Sequence, residues 1–264
     1  MGSIIFPGLG LKVAVNPIAF SFFGIDIYWY GIIILGAFLL STFLAMKHSH
    51  KNNIRSDDVI DFLLFALPTA IVGARLYYVV FSWGKYRDNI LEIFMIWHGG
   101  LAIYGAIFAS IAVAYVFTVK RKINTLNFLD FLCPYLALSQ AIGRWGNFIN
   151  QEAYGTETNL PWRMEIVDPT TLRTIAVHPT FLYESLWNIC LFLFLIWFSK
   201  RKKLEGEVFT LYMALYAVGR FCIERLRDDS LYLYTIRISQ LLAGVIAVTM
   251  FIVFFVRRRT TGTG

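Results

Sequence analysis

A chain of 264 residues that is 58% hydrophobic and 17% aromatic, with only 16% charged side chains, cannot cover a soluble surface of its size. Its formal net charge of +7 would suit a nucleic acid, but the basic residues sit in short loops between apolar runs, which excludes that partner. A mean hydropathy of +0.61 leaves one class, an all-α polytopic membrane protein.

A spanning helix needs about 20 mostly apolar residues. Seven runs approach that length: 20–46, 58–82, 98–119, 126–142, 180–199, 207–226 and 234–256. The first has no basic segment before it and reads as a retained span, not a signal peptide. Trp29 and Tyr30 near its outer end, and Trp97 before the third run, fit interfacial aromatic belts. The second run carries Arg75 within Gly73-Ala74-Arg75-Leu76-Tyr77-Tyr78, and a lone arginine at that depth needs a partner. The third opens on His98-Gly99-Gly100-Leu101-Ala102-Ile103-Tyr104-Gly105, whose three glycines predict close backbone approach to a neighbour or ligand. The fourth is short and contains Pro134, which predicts a kinked or partly re-entrant segment.

Directly after it comes Gly143-Arg144-Trp145-Gly146-Asn147-Phe148-Ile149-Asn150-Gln151-Glu152. An arginine, two asparagines and a glutamate at the edge of hydrocarbon require partners or a charged substrate. Arg144 and Asn147 share a face if the segment is helical, and a guanidinium fork suits a phosphate. The structural alternative pairs Arg144 with Glu152 and leaves the asparagines as caps. His178-Pro179 opens the fifth run, where Pro179 suits a first helical turn and His178 can hydrogen-bond the outer segment. Glu184 lies within hydrocarbon depth and is expected to pair with an intramembrane arginine. In the sixth run, Tyr216, Arg220, Glu224 and Arg227 form one helical stripe, with Arg220 and Glu224 able to pair along it. Such a stripe faces protein or a water-filled cavity.

The loops alternate in charge. Lys47, Lys51 and Arg55, then Lys120-Arg121-Lys122, then Lys200-Arg201-Lys202-Lys203, and finally Arg257-Arg258-Arg259 follow the odd-numbered runs. The other loops are longer or mixed in sign, as in Lys85-Tyr86-Arg87-Asp88 and Arg227-Asp228-Asp229. Cytoplasmic loops hold the Lys/Arg excess, so the amino terminus is expected outside and the carboxyl terminus inside. The whole of 1–264 reads as one transmembrane domain, with 143–179 as an extracytoplasmic insertion. Cys133, Cys190 and Cys222 all lie among apolar residues and read as small buried hydrophobes. No metal-ligand spacing, Walker motif or GxSxG elbow is present.

These segments resemble a known family. Gly143-Arg144-x-Gly146-Asn147-Phe148-Ile149-Asn150-x-Glu152, Gly99–Gly105, His178-Pro179 to Tyr183-Glu184, and the Tyr216/Arg220/Glu224 stripe together look like the motifs of bacterial prolipoprotein diacylglyceryl transferases. The resemblance covers nearly the whole chain. It implies transfer of the diacylglyceryl group of phosphatidylglycerol to the lipobox cysteine of a prolipoprotein signal peptide, without cofactor or metal. It also implies a monomer in the bacterial plasma membrane. By this analogy Arg144 binds the headgroup and Arg220 stabilises the departing phosphate. Asn147, Asn150, Glu152, Gly155 and Glu224 shape the headgroup site, Tyr30 and Tyr216 orient the lipid, and Arg75 assists. Many members have a histidine, regarded as the base, where Tyr104 stands, and others have tyrosine. A phenol with a reference pKa of about 10 is a poor base unless arginines lower it, so Tyr104 is either a perturbed base or a positioning group. Two other readings fit an arginine-lined cavity: an organic-anion transporter or channel, and a non-catalytic lipid-binding scaffold.

Overall fold

The computed structural model describes residues 2–167, 171–227, 232–233 and 236–261. Asp228 and Asp229, the first two positions of the seventh apolar run and residues 168–170 of the insertion lie outside them. The chain is mostly helical, with seven long helices among the described residues: α1 (Trp29–Ser49), α2 (Ser56–Phe81), α3 (Ile103–Arg121), α4 (Thr125–Asn150), α5 (Thr180–Ser199), α6 (Glu207–Glu224) and α7 (Ile238–Thr261). Five of them, α1, α2, α3, α5 and α7, are long and apolar enough to cross a membrane. α4 and α6 are more polar, because α4 carries Ser139, Gln140, Arg144 and Asn147 and α6 carries Glu207, Arg220 and Glu224. Charges suit the helix ends: Asp57 and Asp58 open α2, while Lys120 and Arg121 close α3.

Three expectations are corrected. The fold is not all-α, because short strands form among the described residues: β1 (Gly2–Phe6), β2 (Leu11–Val15), β3 (Ile18–Phe22), β4 (Ile25–Tyr28), β5 (Met164–Val167), β6 (Thr174–Val177), β7 (Tyr232–Leu233) and β8 (Ile236–Arg237). The helix placed over 20–46 starts only at Trp29, since β3 and β4 make a hairpin in which Phe22 pairs with Ile25. Phe23 and Gly24 both take positive φ, the two-residue turn that matches strand twist, and Ser21 Oγ donates to Asp26 across the hairpin. Apolarity alone does not separate such a strand pair from a span. The fourth helix is not short: it runs through Pro134 to Asn150, so most of the Gly143–Glu152 motif is helical.

Two compact units can be distinguished, residues 1–43 with 132–264, and residues 44–131. In the first, a four-stranded antiparallel sheet of order β2-β1-β5-β6 joins the amino-terminal hairpin to the 143–179 insertion. Ile4, Phe6, Val15, Met164, Ile166 and Val177 bury one face with Phe181 of α5 and Phe148 of α4. The Phe148 and Phe181 rings lie 4.7 Å apart and Trp145 stands 5.5 Å from Phe181, so the sheet is fastened to the motif-bearing end of α4. A second core joins α4 to α7 through Cys133, Ala137, Leu191, Leu195, Val208, Leu211 and Phe254. Arg258 closes its far end with two bonds to buried Glu207, at 2.6 and 3.2 Å. In the other unit α2 packs on α3. A Cβ on Gly105 would lie 2.2 Å from the Gly73 carbonyl, so the glycines permit a backbone contact there, as the spacing predicts. Phe62, Phe117 and Phe128 cluster further along, and Arg121 pairs with Asp58 and Asp61.

Candidate active site

The polar end of α4, the start of α5 and the end of α6 meet in one ion-pair network. Its centre is Glu184, whose side chain is only 3% exposed. Oε1 accepts hydrogen bonds from Arg220 Nη1 at 3.1 Å and Arg227 Nη1 at 3.4 Å. Oε2 lies 2.6 Å from Arg144 Nη2 without an N–H aimed at it, so that contact is an ion pair but not a hydrogen bond. Arg220 also pairs with Glu224 one turn along α6 at 2.5 Å. Three guanidiniums thus gather around two buried carboxylates, and burial makes each of these pairings stronger than it would be in water.

The remaining motif residues extend the network. Arg144 Nη1 donates to Asn147 Oδ1 at 3.4 Å, and Asn147 and Asn150 donate to Glu152 Oε1 at 2.8 and 3.4 Å. Glu152 therefore serves the asparagines, and the carboxylate that pairs with Arg144 is Glu184. Tyr30 fits against Gly146, where a Cβ would come within 2.6 Å of its ring. Gly155 bridges to Arg227 and donates to the His178 carbonyl at 3.0 Å; a Cβ there would meet His178 and the Leu226 carbonyl, each at 2.7 Å. Tyr216 stacks on Tyr212 at 5.8 Å, one turn before Arg220. Thus Tyr30, Arg144, Asn147, Asn150, Glu152, Gly155, Tyr216, Arg220 and Glu224 all belong to the first unit. Arg144 and Arg220 each keep 24% of the side chain exposed, enough to meet a ligand.

Two predicted residues lie in the other unit. Arg75, 5% exposed, directs its guanidinium to the carbonyls of Ile93 (2.9 Å), Gly99 (2.6 Å), Gly100 (3.1 Å), Glu92 (2.6 Å) and Met95 (3.3 Å). It clamps the 92–100 loop beside a cavity of about 250 Å³ that Tyr78, Lys85, Tyr86 and His98 also line. The partner that an arginine there requires is main chain, not carboxylate. Tyr104, in the first turn of α3, is partly exposed with its ring 6.4 Å from Tyr77.

Glu184 meets three arginines where one was expected. Arg237, which donates to the Glu224 carbonyl, had no motif to reveal it, only its place near the start of the last apolar run. His178 makes the expected bonds through its main chain, its Nδ1 lies 3.3 Å from the Tyr183 hydroxyl, and burial holds its pKa below the usual value. Cys133 is buried, whereas Cys190 and Cys222 are exposed, which corrects the expectation that all three are core residues. Among the described residues no three His, Cys, Asp or Glu side chains gather to hold a metal ion.

The sequence profile of the family described as prolipoprotein diacylglyceryl transferase matches residues 17–256. The phosphatidylglycerol–prolipoprotein diacylglyceryl transferase of Finegoldia magna is 49% identical over 234 residues, 88% of this chain and 92% of that one. The protein of that name from Enterococcus faecalis is 47% identical over 254 residues, covering 93% and 91%. That of Clostridioides difficile is 46% identical over 233 residues, covering 88% and 92%. With matches of this length and identity, the chain belongs to the prolipoprotein diacylglyceryl transferase family.

Proposed function

We propose that this chain transfers the diacylglyceryl group of phosphatidylglycerol to the lipobox cysteine of a prolipoprotein, the first step of lipoprotein maturation. The observation that carries the reading is the convergence of Arg144 and Arg220 on one buried carboxylate, each with an exposed edge. In the reaction a cysteine thiol gives its proton to an acceptor, and the thiolate attacks the glycerol carbon bearing the phosphate. A C–S bond forms, the C–O bond breaks, and its electron pair leaves with the phosphate as glycerol phosphate. The two guanidiniums offset the charge that develops on that oxygen. Asn147, Asn150 and Glu152 shape the headgroup site, Gly155 and Glu224 frame it, and Tyr30 and Tyr216 orient the lipid. Arg75 contributes by shaping the 92–100 loop. Tyr104 is the candidate proton acceptor on the family resemblance alone.

The same reading makes all seven helices membrane spans. The basic loops put the amino terminus outside, the carboxyl terminus in the cytoplasm and the 143–179 insertion on the outer face. The protein works as a monomer in the bacterial plasma membrane, where phosphatidylglycerol and exported cysteines meet. The test is glycerol phosphate release by purified protein given phosphatidylglycerol vesicles and a lipobox peptide. Uptake of an organic anion into proteoliposomes with no lipid turnover would overturn the reading. Full activity in Tyr104→Phe would remove the tyrosine as proton acceptor.

A further inference from the structure

Arg144 and Arg220 stand on different helices at the ends of long flexible stems, and two like charges repel. Something must hold both guanidiniums at the separation one phosphate demands. Among the described residues, Glu184 is the carboxylate that pairs with both. The turn of α5 that carries it is itself fixed: Trp145 Nε1 on α4 donates to Ser185 Oγ at 3.1 Å, and Asn188 Nδ2 donates to the Glu184 carbonyl at 2.9 Å. The two carboxylate oxygens are used unequally. Oε1 accepts hydrogen bonds from Arg220 and Arg227, whereas Oε2 is buried against Arg144 with no N–H directed at it. Arg220 is tied on both sides, by Glu184 and Glu224. Arg144 is held by charge, and among the described residues its guanidinium donates one hydrogen bond, the long one to Asn147.

We propose that Glu184 is a positioning residue. It fixes Arg220 as the rigid half of the phosphate site and keeps Arg144 close but free to turn its N–H groups onto the headgroup. Its charge also opposes tight ground-state capture of the phosphate, so the arginines act most strongly when further charge develops in the transition state. This rests on the transferase reading given above.

The test compares Glu184→Gln and Glu184→Asp with the unsubstituted protein in phosphatidylglycerol vesicles with a lipobox peptide. Glu184→Gln keeps the shape and loses the charge. It should lower kcat about 10²-fold, the scale for a misplaced transition-state donor, while KM for phosphatidylglycerol stays level or falls. Inhibition by added glycerol phosphate should tighten in parallel. Glu184→Asp keeps the charge that the fold needs and draws it back by one methylene. It should lower kcat about tenfold at unchanged KM, with an unchanged melting temperature. A kcat within threefold of normal in Glu184→Gln, a rise in KM at unchanged kcat, or normal kcat in Glu184→Asp overturns the proposal. If Glu184→Gln does not fold, the Glu184→Asp result decides alone. Absence of turnover in the unsubstituted protein overturns the transferase reading instead, so the two failures are distinguishable.

Discussion

The two units hold their buried arginines in contrasting ways. Arg75 is almost wholly enclosed and its donors end on main-chain carbonyls. Arg144 and Arg220 are held by carboxylates and keep an exposed edge. A guanidinium satisfied by carbonyls organises a loop. One that shares a carboxylate and keeps an exposed edge suits the anion site proposed above.

Substitutions separate the two roles. Arg144→Ala should cost about 10²–10³-fold in glycerol phosphate release, the scale for losing one transition-state donor, with little change in melting temperature. Arg144→Lys should not restore it, because an ammonium lacks the planar fork. Arg75→Gln should do the reverse. It strands several carbonyls and should cost roughly 3 kcal/mol of stability, seen as a lower melting temperature and protease cleavage within 92–100. Loss of turnover at full stability in Arg75→Gln would dissolve the distinction. Gly105→Ala presses a Cβ onto the Gly73 carbonyl and should lower the melting temperature by an amount equivalent to about 1–3 kcal/mol.

The smallest effect concerns His178. Burial depresses its folded-state pKa, so the unfolded chain takes up the proton first as pH falls. The stability that neutral His178 provides is present above about pH 6.5 and is lost as pH drops through the lower folded value. His178→Gln should flatten the decline of melting temperature below that pH. An unchanged slope would mean that the ring is not desolvated.

Much of the site was legible because charged residues in apolar runs are few and each demands a partner. The stripe spacing of Arg220 and Glu224 predicts their pairing, and hydrocarbon depth predicts an arginine for Glu184. Helical spacing also brings Arg144 to Asn147. What sequence left open was which carboxylate Arg144 uses, because Glu152 is near in sequence and Glu184 is near only after folding. The sheet was illegible for a related reason. Each of its strands is four or five residues long, and β1 meets β5 by pairing across most of the chain. The β3–β4 hairpin was hidden in apolar sequence that scores like a span.

The polarity of α4 and α6 also bears on how the protein is made. The charges stand toward the ends of these helices, where they cost less than the about 2.5–3.5 kcal/mol of a helix centre, but if both helices span as proposed they still favour entry beside a partner. α6 has apolar α5 before it and apolar α7 after it, and α5 brings the carboxylate that matches Arg220. On the seven-span reading proposed above, α5 and α6 are expected to enter together, with the charge partnership forming at the translocon before either helix is released into lipid.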